Sequence, residues 1–241
     1  MKESGKTGPL IGSIAAIIPQ CGFSIIASGL YSNKLITRGT IIAIYLATSD
    51  EALPILLSYP NKIHFVLPLI ITKLVIAILA GYLVDFIFKS DIHKDHDHSE
   101  EFDEGCCKHD IVTQNKINLW LHPLAHTFNV GFFIFIITLI LNAYITETTI
   151  TTMLSGNRFL EPVIAGVIGL IPNCAVSVGI TMMLGTISFG GAIAGLCSNA
   201  GLGLLVLLKR NEKLSDSFLI IFLLLIISIL SGLIIQLIES I

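Results

Sequence analysis

The chain has 241 residues, of which 54% are hydrophobic and only 13% charged, and its mean hydropathy is +0.86. A soluble domain carries roughly 25% charged residues, so the composition excludes one and marks an integral membrane protein. The net charge of −3 gives no reason to expect a nucleic-acid partner.

The polar start "MKESGKTGPL" carries no cleavable signal pattern and leads straight into an apolar run. A spanning helix needs roughly 20 apolar residues. Seven apolar segments are predicted, at roughly 9–30, 35–57, 63–88, 119–145, 160–183, 187–208 and 216–239. In lipid each backbone polar group must find its partner inside its own segment, so the fold class is all-α and polytopic. Short alternating strands, the mark of an outer-membrane barrel, are absent. The expected organisation is a first transmembrane repeat over 1–88, a soluble loop over 89–118 and a second repeat over 119–241.

The first segment breaks at "AAIIPQCGFS", where Pro19, Gln20, Cys21 and Gly22 follow one another and Ser24 comes just after. Proline removes a backbone donor and glycine permits an unwound turn. The chain repeats this feature in the fifth segment as "VIGLIPNCAVS", with Asn173, Cys174 and Ser177. Set over one another, "PLIGSIAAIIPQCGFS" and "PVIAGVIGLIPNCAVS" share six of sixteen positions. A proline kink with small residues packing helices would explain one copy. Interrupted apolar segments in matching places of two halves point to a transport site near the bilayer midplane.

The second segment places Ser49, Asp50 and Glu51 near its centre, in "LATSDEALP". A carboxylate there costs at least about 2.5 kcal/mol on insertion scales, which makes it functional by default. One acid is expected to pair with Lys73 of the third segment and the other, Asp50, to face substrate. Asp50 aligns with Asn199 of "LCSNAGLG" in the sixth segment, beside Ser198, whereas Glu51 aligns with Ala200. The third segments match more loosely, "AGYLVD" over "SGLIIQ".

Between the halves, "DIHKDHDHSEEFDEGCCKHD" holds four of the seven histidines and eight of the seventeen acids. His93, His96, His98, Cys106, Cys107 and His109 are its candidate metal ligands, since Cys/His-rich tracts bind metals. Five cysteines, two of them vicinal, do not suggest a disulfide framework. In "LHPLAHTFN", His122 and His126 share one helix face and can bind a metal. Water at a helix start can equally satisfy them. Glycines in "SFGGAIAGL" read as close helix packing. No phosphate-binding glycine loop is present, so no ATPase is expected.

Lys and Arg divide almost evenly between the two sides if every segment spans once, so orientation stays open. Equivalent loops nevertheless carry opposite charge. Lys34 and Arg38 follow the first broken segment, and Lys209, Arg210 and Lys213 follow the sixth, while their counterparts are nearly bare. That pattern fits inverted repeats, provided at least one segment per half is re-entrant. The second half has an extra leading helix at 119–145, so a corresponding helix is expected before Pro9 in relatives.

The elements "PQCGFS", "ATSDEALP", "GCCKH", "HPLAHTFN" and "PNCAVS" together resemble a bacterial family of ten-transmembrane heavy-metal exporters, whose members are labelled arsenic efflux proteins or manganese transporters. The resemblance covers nearly the whole chain and implies metal or metalloid export. The expectation is therefore a multi-pass inner-membrane secondary transporter that exports a divalent metal, with manganese first. Its substrate path is expected to run past Gln20, Cys21, Ser24, Ser49, Asp50, Glu51, Asn173, Cys174, Ser177, Ser198, Asn199 and His126. No resident cofactor is expected beyond the transported or loop-bound ion (manganese, zinc or similar). The partners are that ion and the lipid bilayer, with homo-oligomerisation open. A metalloid permease using Cys21, Cys174 and Cys197, and a non-transporting membrane metal sensor, are the rival readings.

Overall fold

The structure, a computed structural model, describes residues 4–18, 20, 22–48, 52–88, 132, 136, 160–211 and 214–240. Numbered over these residues, the helices are α1 (Ser4–Ala15), α2 (Gly22–Ser32), α3 (Arg38–Ala47), α4 (Ala52–Ser58), a 3-10 turn (Pro60–Phe65) and α5 (Val66–Ile87). They continue with α6 (Glu161–Gly169), α7 (Cys174–Met182), α8 (Phe189–Ser198), α9 (Gly203–Arg210) and α10 (Leu214–Glu239). Short, short, short, short, long is thus the order before and after the central stretch. Among the described residues no strand occurs, only an isolated bridge between Leu184 and Ile187.

Both proline-containing interruptions end a helix. α1 stops at Ala15 and the chain resumes as α2 at Gly22; α6 stops at Gly169 and resumes as α7 at Cys174. The second and sixth segments differ from the single helices expected. Each is two helices in succession. α3 stops at Thr48, whose ψ of 130° leaves the helical region, and the chain resumes at Ala52. α8 stops at Asn199, with ψ of 92°, and Gly201 then takes a φ of +58° that residues with a Cβ rarely adopt.

Among the described residues, four stretches are long and apolar enough to cross a membrane: Arg38–Ser58, Pro60–Ile87, Phe189–Arg210 and Leu214–Glu239. Their burial sorts them into two layers. The first and third are 73% and 83% buried, the other two only 22%. α3 and α8 are therefore the core, and α5 and α10 flank them with wide apolar faces turned outward. Leu67, Ile71, Val75, Leu79, Leu83 and Phe86 make the outer row of α5; Phe218, Phe222, Ile226, Leu230 and Ile234 make that of α10. The inner rows are Leu69, Lys73, Ala77, Gly81 and Ile220, Leu224, Ser228, Gly232.

Small residues set the helix crossings. A Cβ on Gly81 of α5 would lie 2.9 Å from the Gly39 carbonyl of α3 and 2.8 Å from the Cβ atoms of Ala43 and Pro9. A Cβ on Gly232 of α10 would lie 2.6 Å from the Gly190 carbonyl of α8, 2.6 Å from the Cβ of Ala194 and 3.2 Å from that of Pro162. The contacts Gly39–Gly81–Ala43 and Gly190–Gly232–Ala194 sit at one constant separation along the chain. Lipid tails give helices no hydrophobic reason to associate, so backbone approach through small residues carries much of the packing.

Contacts at the helix ends fix the chain direction. At one end α3 begins, with Arg38 bonded to Asp216 at the start of α10, which also accepts from Tyr31 at the end of α2. Asp85, near the end of α5, lies at the same place beside Thr37 and Gly39. Gly8 of α1 lies against Thr40. At the other end α8 begins, with the Phe189 ring 6.4 Å from that of Phe65. Glu161 at the start of α6 and Glu239 at the end of α10 reach this end, and Lys62 bonds the Met182 carbonyl at the end of α7. α3 with α4 and α8 with α9 therefore run in opposite directions. α1 begins, and α2 finishes, at the ion-pair end; α6 begins, and α7 finishes, at the aromatic end.

Candidate functional site

α3 and α8 each have carboxylates at the N-terminus and a shared ammonium at the C-terminus. Thr37 caps α3 by accepting from the Thr40 N–H at 3.0 Å, and Asp85 accepts from the Gly39 N–H at 2.8 Å. Ser188 caps α8 by accepting from the Gly191 N–H at 3.0 Å. Glu161 accepts from the Ser188 N–H at 3.0 Å and Glu239 from the Phe189 N–H at 3.2 Å. Negative charge at a helix N-terminus is favourable by about 0.3–1 kcal/mol, more where partly buried.

The C-terminal ends meet in the interior at Lys73. This side chain is 1% exposed and stands in the middle of a candidate span. Its ammonium donates to the Thr48 carbonyl, where α3 stops, and at 2.9 Å to the Leu196 carbonyl in the last turn of α8. Helix C-termini carry partial negative charge, so one lysine serves both. The same place on α10 is Leu224, fully buried and apolar. One half of the chain thus supplies the cation for both broken helices.

The first turns of α2 and α7 approach the α8–α9 junction. Ser24, early in α2, is fully buried against Gly203 at the start of α9, where an added Cβ would lie 2.7 Å from the serine Cβ. One turn on, the Ser28 hydroxyl lies 2.8 Å from the Gly203 carbonyl and 2.7 Å from the Tyr45 hydroxyl, and Tyr45 also reaches that carbonyl. In the other half, Asn199 donates to the Ser177 hydroxyl of α7 at 2.5 Å and accepts from the Gly201 N–H at 2.9 Å. Asn199 therefore holds the α8–α9 turn and ties it to α7.

A second polar cluster closes the ion-pair end. Asp216 accepts from Arg38 Nε at 2.9 Å, from the Tyr31 hydroxyl at 2.6 Å and from Asn211 at 3.2 Å. The Arg38 guanidinium also sits 5.8 Å above the Phe88 ring. Burial first, and the Asp216 carboxylate beside it second, hold the Tyr31 phenol well above its ordinary range, so it stays a donor.

A family model described as "putative, 10TM heavy-metal exporter" matches residues 1–131 and 123–240. The chain belongs to this family. No curated protein and no solved structure gives a match.

For this member of the heavy-metal exporter family, the structure brings two residues singled out in the sequence together, Ser177 and Asn199, and buries several others. Ser24 and Asn173 are buried, Ser177 pairs with Asn199, and Ser198 is fully buried with its hydroxyl on the Gly195 carbonyl. Gln20 is exposed, and its carbonyl accepts from the Phe23 N–H at the start of α2. Cys197 is a free, fully buried thiol. Cys21, Ser49, Asp50, Glu51, His93, His96, His98, Cys106, Cys107, His109, His122 and His126 lie outside the described residues, as does the side chain of Cys174. Among the described residues no three His, Cys, Asp or Glu side chains gather as a metal site.

Three features escaped the sequence reading. Ser28 and Tyr45 carry no motif, and only their positions in apolar helices hint at a buried pair. Arg38 and Asp216 are far apart in the chain. Lys73 was visible as a mid-span charge, but its bonds to two helix-end carbonyls were not.

Proposed function

We propose that the chain is a secondary transporter of two inverted repeats that exports divalent manganese across the inner membrane. Each repeat is a re-entrant hairpin (α1–α2, α6–α7), a broken span (α3–α4, α8–α9) and a full span (α5, α10). The observation that carries this reading is the meeting of two oppositely directed broken helices at Lys73. Non-helical backbone at membrane depth is tolerated where it is packed in protein or lines a cavity. Discontinuous helices at a repeat interface are the usual setting of a transporter's ion site.

Asp50, two residues beyond the Thr48 carbonyl, would supply the hard carboxylate for the ion. Amide oxygens of Gln20, Asn173 and Asn199 are the neutral oxygen donors, a set suited to manganese. Asn199 would ligate through the lone pair not used on Gly201. Asp50 or Glu51 would also exchange a proton, coupling export to the proton gradient. The His- and Cys-rich loop would buffer or sense the ion rather than conduct it.

The charge on the two ends supports an orientation. Lys34, Arg38, Lys209 and Arg210 stand at the ion-pair end, and Lys62 at the aromatic end. By the positive-inside rule the ion-pair end is cytoplasmic. α5 also ends there.

Purified protein in sealed vesicles tests the reading. Proton-driven Mn²⁺ flux that is lost in Asp50→Ala and kept in a Cys21→Ser/Cys174→Ser/Cys197→Ser triple variant supports it. Arsenite flux lost in the triple variant replaces it with the metalloid reading. No flux, with metal bound only through residues 91–110, replaces it with the sensor reading.

A further inference from the structure

We propose that the Lys73 ammonium is a resident cation of the translocation site, occupying the position that a transported metal ion must share. The inference rests on the transport reading above and adds the residue that sets how tightly the ion is held. Three observations support it. Lys73 is 1% exposed in the middle of a candidate span, where an ammonium is costly and marks function by default. It bonds the carbonyls at the ends of two different broken helices, Thr48 of α3 and Leu196 of α8. Nothing about holding those ends requires a charge from only one half, yet the matching place on α10 is the apolar Leu224.

Carbonyls at a helix C-terminus are what a cation would seek in a discontinuous transmembrane helix. In this conformation an ammonium already holds them. A metal ion brought to the same carbonyls meets a like charge in a poorly screened interior. Metal and Lys73 therefore exclude one another in part: the ion binds as the ammonium withdraws, and the returning ammonium weakens the hold on the ion so that it can leave. Lys73 is a positioning residue here, acting through charge on the affinity of the ligand set.

The test is a titration of detergent-purified full-length protein with Mn²⁺, comparing wild type, Lys73→Gln and Lys73→Arg. Gln keeps amide donors for the two carbonyls and removes the charge; Arg keeps the charge. The expected result is that Lys73→Gln binds Mn²⁺ at least tenfold tighter than wild type and releases it more slowly, while Lys73→Arg stays within about threefold of wild type. Unchanged or weaker binding by a folded Lys73→Gln protein overturns the proposal, as does equal tightening in Lys73→Arg. If Lys73→Gln does not fold, a structure of Mn²⁺-loaded wild type decides. The ammonium drawn off at least one of the two carbonyls supports the proposal, and both bonds intact beside the bound ion overturns it. A wild type that neither binds nor moves Mn²⁺, Zn²⁺ or Co²⁺ instead defeats the underlying transport reading. That result is distinct, because it shows as flat titrations for all three proteins.

Discussion

Arg38 and Asp216 form an ion pair, at 2.9 Å, between the start of α3 and the start of α10. Phe189 and Phe65 lie from Arg38 and Asp216 at the chain separation that also relates Gly39 to Gly190 and Gly81 to Gly232, and their rings stack at 6.4 Å. Among the described residues an ion pair thus joins helices at one end and an aromatic pair at the other. Asp216 accepts from three side chains. Asp216→Ala leaves those donors without their carboxylate and is expected to lower stability by roughly 1–3 kcal/mol. Thermal unfolding in detergent measures it. A loss below about 0.3 kcal/mol, the scale of an exposed pair, would show the cluster to be loose.

The glycine crossings make a second, sharper prediction. Gly39→Ala and Gly190→Ala push a methyl into the backbone of α5 and α10 respectively, at the carbonyls of Gly81 and Gly232. Backbone cannot step aside cheaply, and each is expected to cost at least about 1–3 kcal/mol. Gly29→Ala is the control. A Cβ there meets only Arg210 at 3.5 Å, an ordinary contact, in the middle of α2. That change is expected to stabilise by about 0.5–1 kcal/mol through helix propensity. Matching losses at Gly39 and Gly190, read from the same melts, would reflect the matched crossings; a loss at only one would deny them.

The Ser28–Tyr45–Gly203 cluster ties α2, α3 and α9 together. Interhelical hydrogen bonds in membranes average about 0.6 kcal/mol and reach roughly 1.7. Tyr45→Phe is expected to fall in that range. Ser28→Ala is expected to fall in the same range, because each of the two hydroxyls contacts the other and the Gly203 carbonyl. A double-mutant cycle should show non-additivity, since both side chains share the Gly203 carbonyl. Strict additivity would mean that the two hydroxyls act separately.

Chain direction is testable by labelling. In a background with the native cysteines replaced by serine, Lys34→Cys and Lys62→Cys are expected to react with an impermeant thiol reagent from opposite sides. Lys34→Cys should react from the cytoplasmic side. Reaction of both from one side contradicts a membrane-crossing α3–α4.

The sequence made the breaks between α1 and α2 and between α6 and α7 readable, because Pro, Cys and an amide recur in register. The opposed loop charges call for at least one re-entrant segment in each half, but no local signal assigns that to these two segments. Their halves, Ser4–Ala15 with Gly22–Ser32 and Glu161–Gly169 with Cys174–Met182, are each too short to span. Joined end to end they have the length and apolarity of one span, and hydropathy cannot tell a turn from a kink. The breaks after Thr48 and Asn199 showed only as polar centres, since neither contains proline. Helix packing through "SFGGAIAGL" was legible because Gly190 and Gly195 could serve little else; the structure puts Gly190 on Gly232 and Gly195 on Ala165. Partners separated by more than a hundred residues, such as Lys73 with Leu196 or Arg38 with Asp216, leave no local period to read.

The central claim is export of a divalent metal through a site that needs Asp50. Elemental analysis of whole cells tests it most directly. Host cells stripped of their own exporters would carry the wild-type chain or Asp50→Ala, grown across a panel of metals and arsenite. Manganese content is expected to fall in wild-type cells and to return to the empty-vector level in the variant. Manganese content equal in all three, with either arsenite lowered instead or no element changed, would contradict that claim.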